Sequence, residues 1–447
     1  MLGEAKSLDA LRKLVAMVEA DQAEAILLGV SSGLTRFANS TIHQNVFERD
    51  NVIHLRAAIG RKIGVASSNV MDQDAMRGLA KRVVEIAKSQ VDNPDFDSFA
   101  KSPRAPKIEA FYPETANCEA SRRAANVKVV IDAADKLGFL AAGSHYTSGR
   151  EFAFANSLGT EQYHASTSAF MNTVVMSPTS SGYADLSALD ISHFDPREVA
   201  EKAVKICADS QDPRELPEGR YDVVISARAL SELINWLAYV GFSVDSYQDG
   251  RSFMSGRIGE KLMGGNISMW DDGCDKAGAP IPFDFEGVPR QRVDLIKNGV
   301  VGDICYSTIT AHKDKKASTG HALLPGDDVS AMPINIHVST GKNTWQEMVA
   351  SLDKGLLVTR FHYVNGLLDT RRALFTGMTR DGTFYVEGGK IRYPVKNLRF
   401  THSMLDAFSN VEMISKDARL FLSDWFGGSV LPALKIKGFN FSGKTEF

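Results

Sequence analysis

The sequence predicts an α+β protein with two domains. Residues 1–212 are expected to form helices packed against an antiparallel sheet, and residues 220–447 a mostly β domain built as a sheet or a barrel-like array. Helical and strand patterns alternate in the first half, whereas strand and turn patterns dominate the second half. Between them, residues 209–219 contain two prolines and a glycine, which is typical of a domain boundary.

Four helices are predicted in the first domain because apolar residues recur there at helical spacing. They lie at residues 8–20, 76–87, 120–134 and 196–208. The last has a strong start, with Asp195 as the cap, Pro196 in the first helical position and Glu198 completing a capping box.

The strands of the first domain are expected at residues 24–30 and 51–59, followed by a hairpin over residues 151–176. The sequence Asn-Ser-Leu-Gly at 156–159 predicts the turn of that hairpin. Residues 91–117 are read as a long connecting loop. No repeat at a fixed period is evident.

In the second domain, residues 221–226 form a predicted strand that leads into a helix. Residues 295–301 predict a hairpin around an Asn-Gly turn, and residues 384–393 predict another. A short helix is expected over residues 343–354, with Thr344 and Glu347 as its capping box.

Composition excludes several classes of protein. The net charge of −3 does not favour a nucleic-acid-binding surface, which needs a basic excess. The four cysteines form no CxxC pair, so no zinc ribbon or redox dithiol is predicted. No apolar run approaches the roughly 20 residues that cross a membrane, and the N-terminus lacks the apolar core of a signal peptide. We therefore expect a cytoplasmic protein.

The motifs of common catalytic sites are missing. The ten histidines include no HxH, HExxH or HExxxH, and there is no GxSxG, so we assign no catalytic residue and no metal ligand. Residues 438–445 match the phosphate-binding pattern GxxxxGK[ST], but only two residues follow and no helix can form there to bind phosphate.

Short segments spread over nearly the whole chain resemble the TldD/PmbA family, a group of zinc-peptidase-related proteins also called modulators of DNA gyrase. Each is weak alone, and their order and spacing make them jointly specific. They are residues 36–42 (RFANSTI), 156–159 (NSLG), 253–260 (FMSGRIGE), 271–273 (DDG), 287–292 (GVPRQR), 295–300 (LIKNGV), 318–320 (STG), 351–356 (SLDKGL), 386–391 (VEGGKI) and 394–396 (PVK).

The resemblance also identifies a difference from the active members, in which a helix carries HExxxH and a cysteine near the C-terminus completes the zinc site. Here that helix, residues 227–239, reads ARALSELINWLAY, and no cysteine follows Cys305. Its apolar stripe is expected to be buried and Glu232 to be solvated. The stripe consists of Leu230, Leu233, Ile234, Leu237 and Val240.

In lacking HExxxH the chain resembles the PmbA/TldE-like members, which pair with a TldD-type subunit. The resemblance thus implies a subunit without its own zinc that binds peptide, with a TldD-like chain or a second copy as its partner and zinc possible in that partner. Two alternatives stay open: an active metallopeptidase whose metal has moved to His312, His321 or His362, and a non-enzymatic homo-oligomeric peptide-binding or scaffold protein.

The candidate substrate-binding residues are Gly256, Arg257, Thr319, Gly320 and His321. The guanidinium of Arg257 suits carboxylates and carbonyls, although an internal salt bridge that braces its loop is the alternative. An extended peptide, the usual protease substrate, is expected to bind by adding a strand to a sheet edge.

Overall fold

The structure is a computed structural model that describes residues 1–423 and 427–444. The first part of the chain combines a mixed set of helices with one antiparallel sheet. The helices are α1 (Glu4–Ala16), α2 (Gln73–Ser89), α3 (Pro113–Ala116), α4 (Ala120–Asp135) and α5 (Pro196–Asp209), with a 3₁₀ turn at Ile191–His193. The strands are β1 (Gln22–Ala38), β2 (Thr41–Ile59), β3 (Lys62–Ser68), β4 (Leu140–Asn156), β5 (Glu161–Met176) and β6 (Ser181–Ala188).

The strands form a sheet in the order β3-β2-β1-β4-β5-β6, and each neighbouring pair is antiparallel. Because side chains alternate along a strand, one set faces the helices and the other faces the second domain. Leu27 and Leu55 pack with α1 and α2. Met171 and Val175 pack with α4 and α5.

The first domain repeats its architecture although its sequence shows no period. Residues 4–89 and 120–209 each run helix, three strands, helix, and the two halves meet at the β1–β4 pair. A glycine on each outer strand repeats the same close packing. A Cβ on Gly64 would meet the backbone of α2, and a Cβ on Gly182 would meet the backbone of α5. Only glycine allows a helix to lie this near the strand.

The second part of the chain contains short helices and many strands. The helices are α6 (Ala227–Trp236), α7 (Val244–Gln248), α8 (Thr308–Lys313), α9 (Trp345–Ala350) and α10 (Met404–Ser409), with a π turn at Leu237–Gly241 and a 3₁₀ turn at Thr370–Arg372. The strands are β7 (Gly219–Ile225), β8 (Met269–Asp271), β9 (Val293–Lys297), β10 (Val300–Val301), β11 (Asn335–Val338), β12 (Lys354–Val358), β13 (Phe361–Asp369), β14 (Leu374–Thr379), β15 (Thr383–Glu387), β16 (Lys390–Pro394), β17 (Leu398–Ser403), β18 (Val411–Leu422) and β19 (Gly428–Lys444).

These strands form one branched sheet around β19. This strand pairs with β7, β11, β17 and β18, so the sheet divides into several arms rather than closing as a simple barrel. The α+β prediction is confirmed. None of the helices in the described ranges is long and apolar enough to cross a membrane.

Most of the predicted turns and helix caps are present in the structure. Asn298 and Gly299 have φ of 50° and 80°, as the predicted hairpin turn requires. Thr344 and Glu347 form their capping box. Asp195 caps α5 through the N–H of Arg197, but the predicted box with Glu198 does not form.

Several predicted boundaries were wrong. β1 and β2 extend to 17 and 19 residues, well past the predicted ends, because they pair with each other along almost their full length. Helix α9 is shorter than residues 343–354. The last residue of the GxxxxGK[ST] match, Thr445, lies outside the described residues, and the residues before it continue β19 as the predicted terminal strand.

The two sheets are joined through an apolar contact on the helix-free face of the first sheet. Ile26, Phe152 and Phe154 pack against a segment of the second domain. That segment contributes Ile281, Phe283, Phe285, Leu323, Val329 and Ile334. Gly287 lies so close to the ring of Phe154 that a Cβ would collide with it.

A buried ion-pair network accompanies this contact. Arg56 on β2 pairs with Glu24 on β1 and, at 3.1 Å from Nη2 to Oε1, with Glu286 of the second domain. The second carboxylate oxygen of Glu286 accepts a hydrogen bond from the backbone N–H of Thr308 at 2.7 Å. One guanidinium therefore bridges carboxylates from both domains in a nearly water-free contact.

Candidate functional site

Helix α6 has a buried face and a face that lines a cleft. The Ser226 hydroxyl caps the helix by accepting the N–H of Ala229 at 3.2 Å. The predicted apolar stripe is buried. On the other face, Arg228, Glu232 and Asn235 line the cleft, and Tyr239 joins them from the π turn that follows. Such turns occur often at functional sites.

The cleft lies between the two domains and has a volume of about 640 Å³. The first sheet contributes Phe170, Asn172 and Tyr183. A wall made by residues 323–336 is mostly apolar and also carries Asp327 and Asp328. A cavity of this size, with apolar walls and a few charged groups, fits a small molecule or a few residues of a peptide.

Two arginines in the cleft are each held by a buried aspartate. Arg228 Nη1 lies 3.3 Å from Asp185 Oδ2, and Arg360 Nη1 lies 2.6 Å from Asp381 Oδ2. Both aspartate side chains are only 2% exposed. The same Tyr183 ring lies 3.9 Å from Arg360 Cζ and 5.7 Å from Arg228 Cζ. The guanidinium groups are therefore held in place before any ligand arrives.

Two titratable side chains near these arginines have pKa values that burial shifts. Burial, with Arg419 nearby, lowers the pKa of Lys202 to about 8. Burial and then Asp185 raise the pKa of Tyr183 well above its ordinary value, so its hydroxyl stays neutral. Glu232, predicted to be solvated, instead pairs with Arg228 within the helix and is partly exposed towards the cleft.

The cleft face of α6 does not fit a zinc ion. A catalytic zinc site needs three imidazole, thiolate or carboxylate ligands and an open position. This face offers a guanidinium, a carboxylate already paired with it, an amide and a phenol. Within residues 1–423 and 427–444, no group of three or more His, Cys, Asp or Glu side chains could hold a metal. The arginines would also repel a cation here.

Gly256 and Arg257, two of the predicted substrate-binding residues, lie on the loop after α7 and outside the cleft lining. Gly256 has φ of 75° and borders a shallow hollow beside Tyr306. Arg257 Nε donates to Glu260 at 2.8 Å in an exposed pair. The geometry thus contains the brace named as the alternative for Arg257, and its role in substrate binding stays a prediction.

The other three predicted residues lie in a different place, next to the end of β8. The Thr319 hydroxyl lies 2.9 Å from Nδ1 of His321, whose Nε2 lies 2.9 Å from Asp271 Oδ1. His321 is fully buried, and burial lowers its pKa. A Cβ on Gly320 would collide with the carbonyl of Pro289. The five candidates thus form two groups, and whether either group binds substrate stays a prediction.

Asp271 is the centre of a buried polar cluster that the sequence did not predict. Its Oδ2 accepts the N–H groups of Ile334 and Asn335 at 2.8 and 2.6 Å. Arg290 Nη1 lies 3.6 Å away from Oδ1, and no nitrogen of this guanidinium has a hydrogen-bond acceptor among the described residues. Burial opposes ionisation, but His321 and Arg290 outweigh it and hold the pKa of Asp271 at about 2.

Comparison with protein families identifies the chain. The model of the PmbA/TldA metallopeptidase C-terminal domain matches residues 218–443, which is half of the chain, and the model of domain 1 matches residues 23–87. The chain belongs to the PmbA/TldD family. The resemblance predicted from the ordered segments is confirmed.

Individual relatives are distant. A protein named Metalloprotease from Methanothermobacter thermautotrophicus is 25% identical over 240 residues, 54% of this chain and 51% of that protein. The chain spans about half the length of the first curated relatives that it matches. Metalloprotease PmbA of Escherichia coli O157:H7 is 24% identical over 409 residues, 88% of this chain and 87% of that protein.

The crystal structure of TldE from Thermococcus kodakarensis superposes with a TM-score of 0.89 at 15% identity, covering 97% of this chain and 99% of that one. At this identity the match shows a shared fold. The fold that this PmbA/TldD family member shares with that structure therefore includes both domains.

The histidines proposed for a moved metal have separate partners in this family member. His312 is exposed and Nδ1 lies 2.9 Å from the carbonyl of Asp95, while His362 lies against the ring of Tyr363. His321 contacts Asp271. The only signal in the sequence for the cleft arginines is the i, i+4 spacing of Arg228 and Glu232 on α6. Arg360 comes from the turn between β12 and β13, and Tyr183 from β6 of the first sheet.

Proposed function

We propose that this chain is a PmbA/TldE-like subunit without its own zinc site, which binds peptide and pairs with a TldD-type catalytic subunit. One observation carries the proposal: the cleft face of α6, where the resemblance places HExxxH in active members, carries Arg228, Glu232, Asn235 and Tyr239. A guanidinium anchored by a buried aspartate is suited to hold an anionic or carbonyl group of a ligand.

The role of this chain in that proposal is to bind and orient. Its cleft has an apolar wall for side chains and fixed cations for polar groups. An extended peptide can also pair with a free sheet edge of the second domain. Zinc and the hydrolytic chemistry belong to the partner. The free thiols of all four cysteines support a cytoplasmic setting.

The test combines the purified chain with a TldD-type subunit that bears HExxxH. We expect a stable complex on size exclusion and cleavage of an unfolded peptide that neither chain alone achieves. Replacing the glutamate of the partner's HExxxH should abolish cleavage while the complex persists. Chelator-sensitive cleavage by this chain alone would contradict the proposal in favour of an active metallopeptidase. A homo-oligomer that ignores the partner would contradict it in favour of a scaffold.

A further inference from the structure

We propose that Arg228 and Arg360 form a carboxylate-binding subsite, which takes a carboxylate of a peptide lying in the cleft. This inference rests on the proposed peptide-binding function and names the group that the cleft recognises. Three observations support it. They are the geometry of the two arginines, the contact that Glu232 makes with Arg228, and the charge of the rest of the cleft.

The two guanidinium groups share one aromatic neighbour. They come from α6 and from the turn between β12 and β13, and both lie over the ring of Tyr183. Each has a buried aspartate on Nη1, which fixes its position and leaves Nη2 for a further carboxylate. Ser181 donates to Asp381 at 2.6 Å and so fixes that anchor as well.

Glu232 shows which chemistry this place accepts. Its carboxylate contacts Nη2 of Arg228, the nitrogen that Asp185 does not use. Asp185 is 2% exposed, whereas the Glu232 side chain is 26% exposed and borders the cleft. Because Glu232 borders the cleft and is only one of the two carboxylates on Arg228, a ligand carboxylate that enters the cleft can take its place at Nη2. We infer that Glu232 occupies the position of the ligand's carboxylate.

The rest of the cleft selects a peptide over a polyanion. Arg419 lies outside the cleft lining, with its Cζ 6.0 Å from the Phe421 ring that Arg228 Cζ approaches to 5.8 Å, so it places a further cation near Arg228. Asp327 and Asp328 in the same cleft would repel a nucleotide or a phosphate chain. An apolar peptide with one carboxylate, and an amino group or lysine for the aspartates, matches all three regions.

The carboxylate can belong to the peptide C-terminus or to an acidic side chain, and three probes separate these sources. We would measure binding to the purified full-length chain by titration calorimetry, using a lysine-containing pentapeptide that ends in Leu-Phe. The probes are its free acid, its C-terminal amide, and the amide with one internal glutamate. The C-terminal amide without glutamate carries no carboxylate. We expect it to bind at least about tenfold more weakly than one of the two probes that carry a carboxylate, because hydrogen bonds to charged groups are stronger than those between neutral groups.

Two variants should change carboxylate affinity in opposite directions, and a third is the control. Arg360→Gln should remove the preference for the carboxylate form, whereas Glu232→Gln should strengthen carboxylate binding several-fold because it frees Arg228. Arg197→Gln is the matched control, an arginine in an exposed pair with Asp195, and should leave affinity unchanged. Thermal unfolding of each variant separates loss of binding from loss of fold, and the Glu232→Gln gain cannot arise from misfolding.

Equal binding of the three probes, or a preference that Arg360→Gln and Glu232→Gln leave unchanged, would overturn the inference. The result is independent of the test of the proposed function. A carboxylate preference without any TldD-type complex would refute the pairing alone. A productive complex whose cleft ignores the carboxylate would refute the subsite alone.

Discussion

Replacing Arg56 by methionine is expected to lower the free energy of unfolding by about 3–5 kcal/mol, because breaking a buried ion pair leaves an uncompensated charge. Here two carboxylates, Glu24 and Glu286, would lose their shared partner, and their side chains are only 3% and 5% exposed. Urea unfolding at pH 8 measures the effect. Arg49→Met on the exposed part of the same strand is the control and should change stability by less than about 0.5 kcal/mol.

The penalty of Arg56→Met should become smaller as the pH falls from 8 to 5. Burial raises the pKa of Glu24 to about 8, even though Arg56 lowers it. Since the folded pKa lies above the unfolded value of 4.5, this carboxyl favours the folded state below pH 4.5 and loses that contribution as the pH rises through 8. Protonated carboxyls need no counter-charge. An equal penalty at both pH values would contradict the proposed protonation of this network.

Replacing Asp271 by asparagine is expected to destabilise the protein by about 3–5 kcal/mol at pH 7, since it leaves Arg290 buried without a carboxylate. The amide also disturbs the hydrogen bonds from His321, Ile334 and Asn335, not all of which it can accept. Asp272→Asn is the control, because its side chain accepts the N–H of Cys274 and an amide oxygen can do the same.

The pH dependence of Asp271→Asn has a different window. The folded pKa of Asp271, about 2, lies below its ordinary value of 3.8, so its contribution to stability is complete above pH 3.8 and is lost as the pH falls through 2. The difference between wild type and variant should therefore shrink only at strongly acid pH. Acid unfolding curves of both proteins measure it. A difference that already disappears at pH 5 would show that Asp271 is not held ionised.

What the sequence predicted correctly depends on local chemistry. The Asn298-Gly299 turn, the Thr344 capping box and the stripe on α6 are each specified within a few residues, and each is present. The family was recognisable because its short segments occur in a fixed order. The length of β1 and β2 was missed because pairing between the strands, rather than their own alternation, sets where they end.

The functional geometry was harder to predict because it joins residues that are far apart in the chain. Arg56 meets Glu286 across 230 positions, and Tyr183 meets both Arg228 and Arg360. No spacing rule connects such residues. Their partners are also ordinary arginines and aspartates, which a sequence normally places on the surface. Gly256 and His321, which drew attention as motif residues, lie outside the cleft lining instead.

We propose that this chain has a cleft that binds peptide and no zinc site of its own. The most direct measurement is zinc per chain by elemental analysis, after removing metal with a chelator, reloading with zinc and dialysing. We expect zinc far below one ion per chain, with full loading only in a TldD-type partner. Near-stoichiometric, chelator-sensitive zinc in the isolated chain would contradict it and would make His312, His321 and His362 the first ligands to replace.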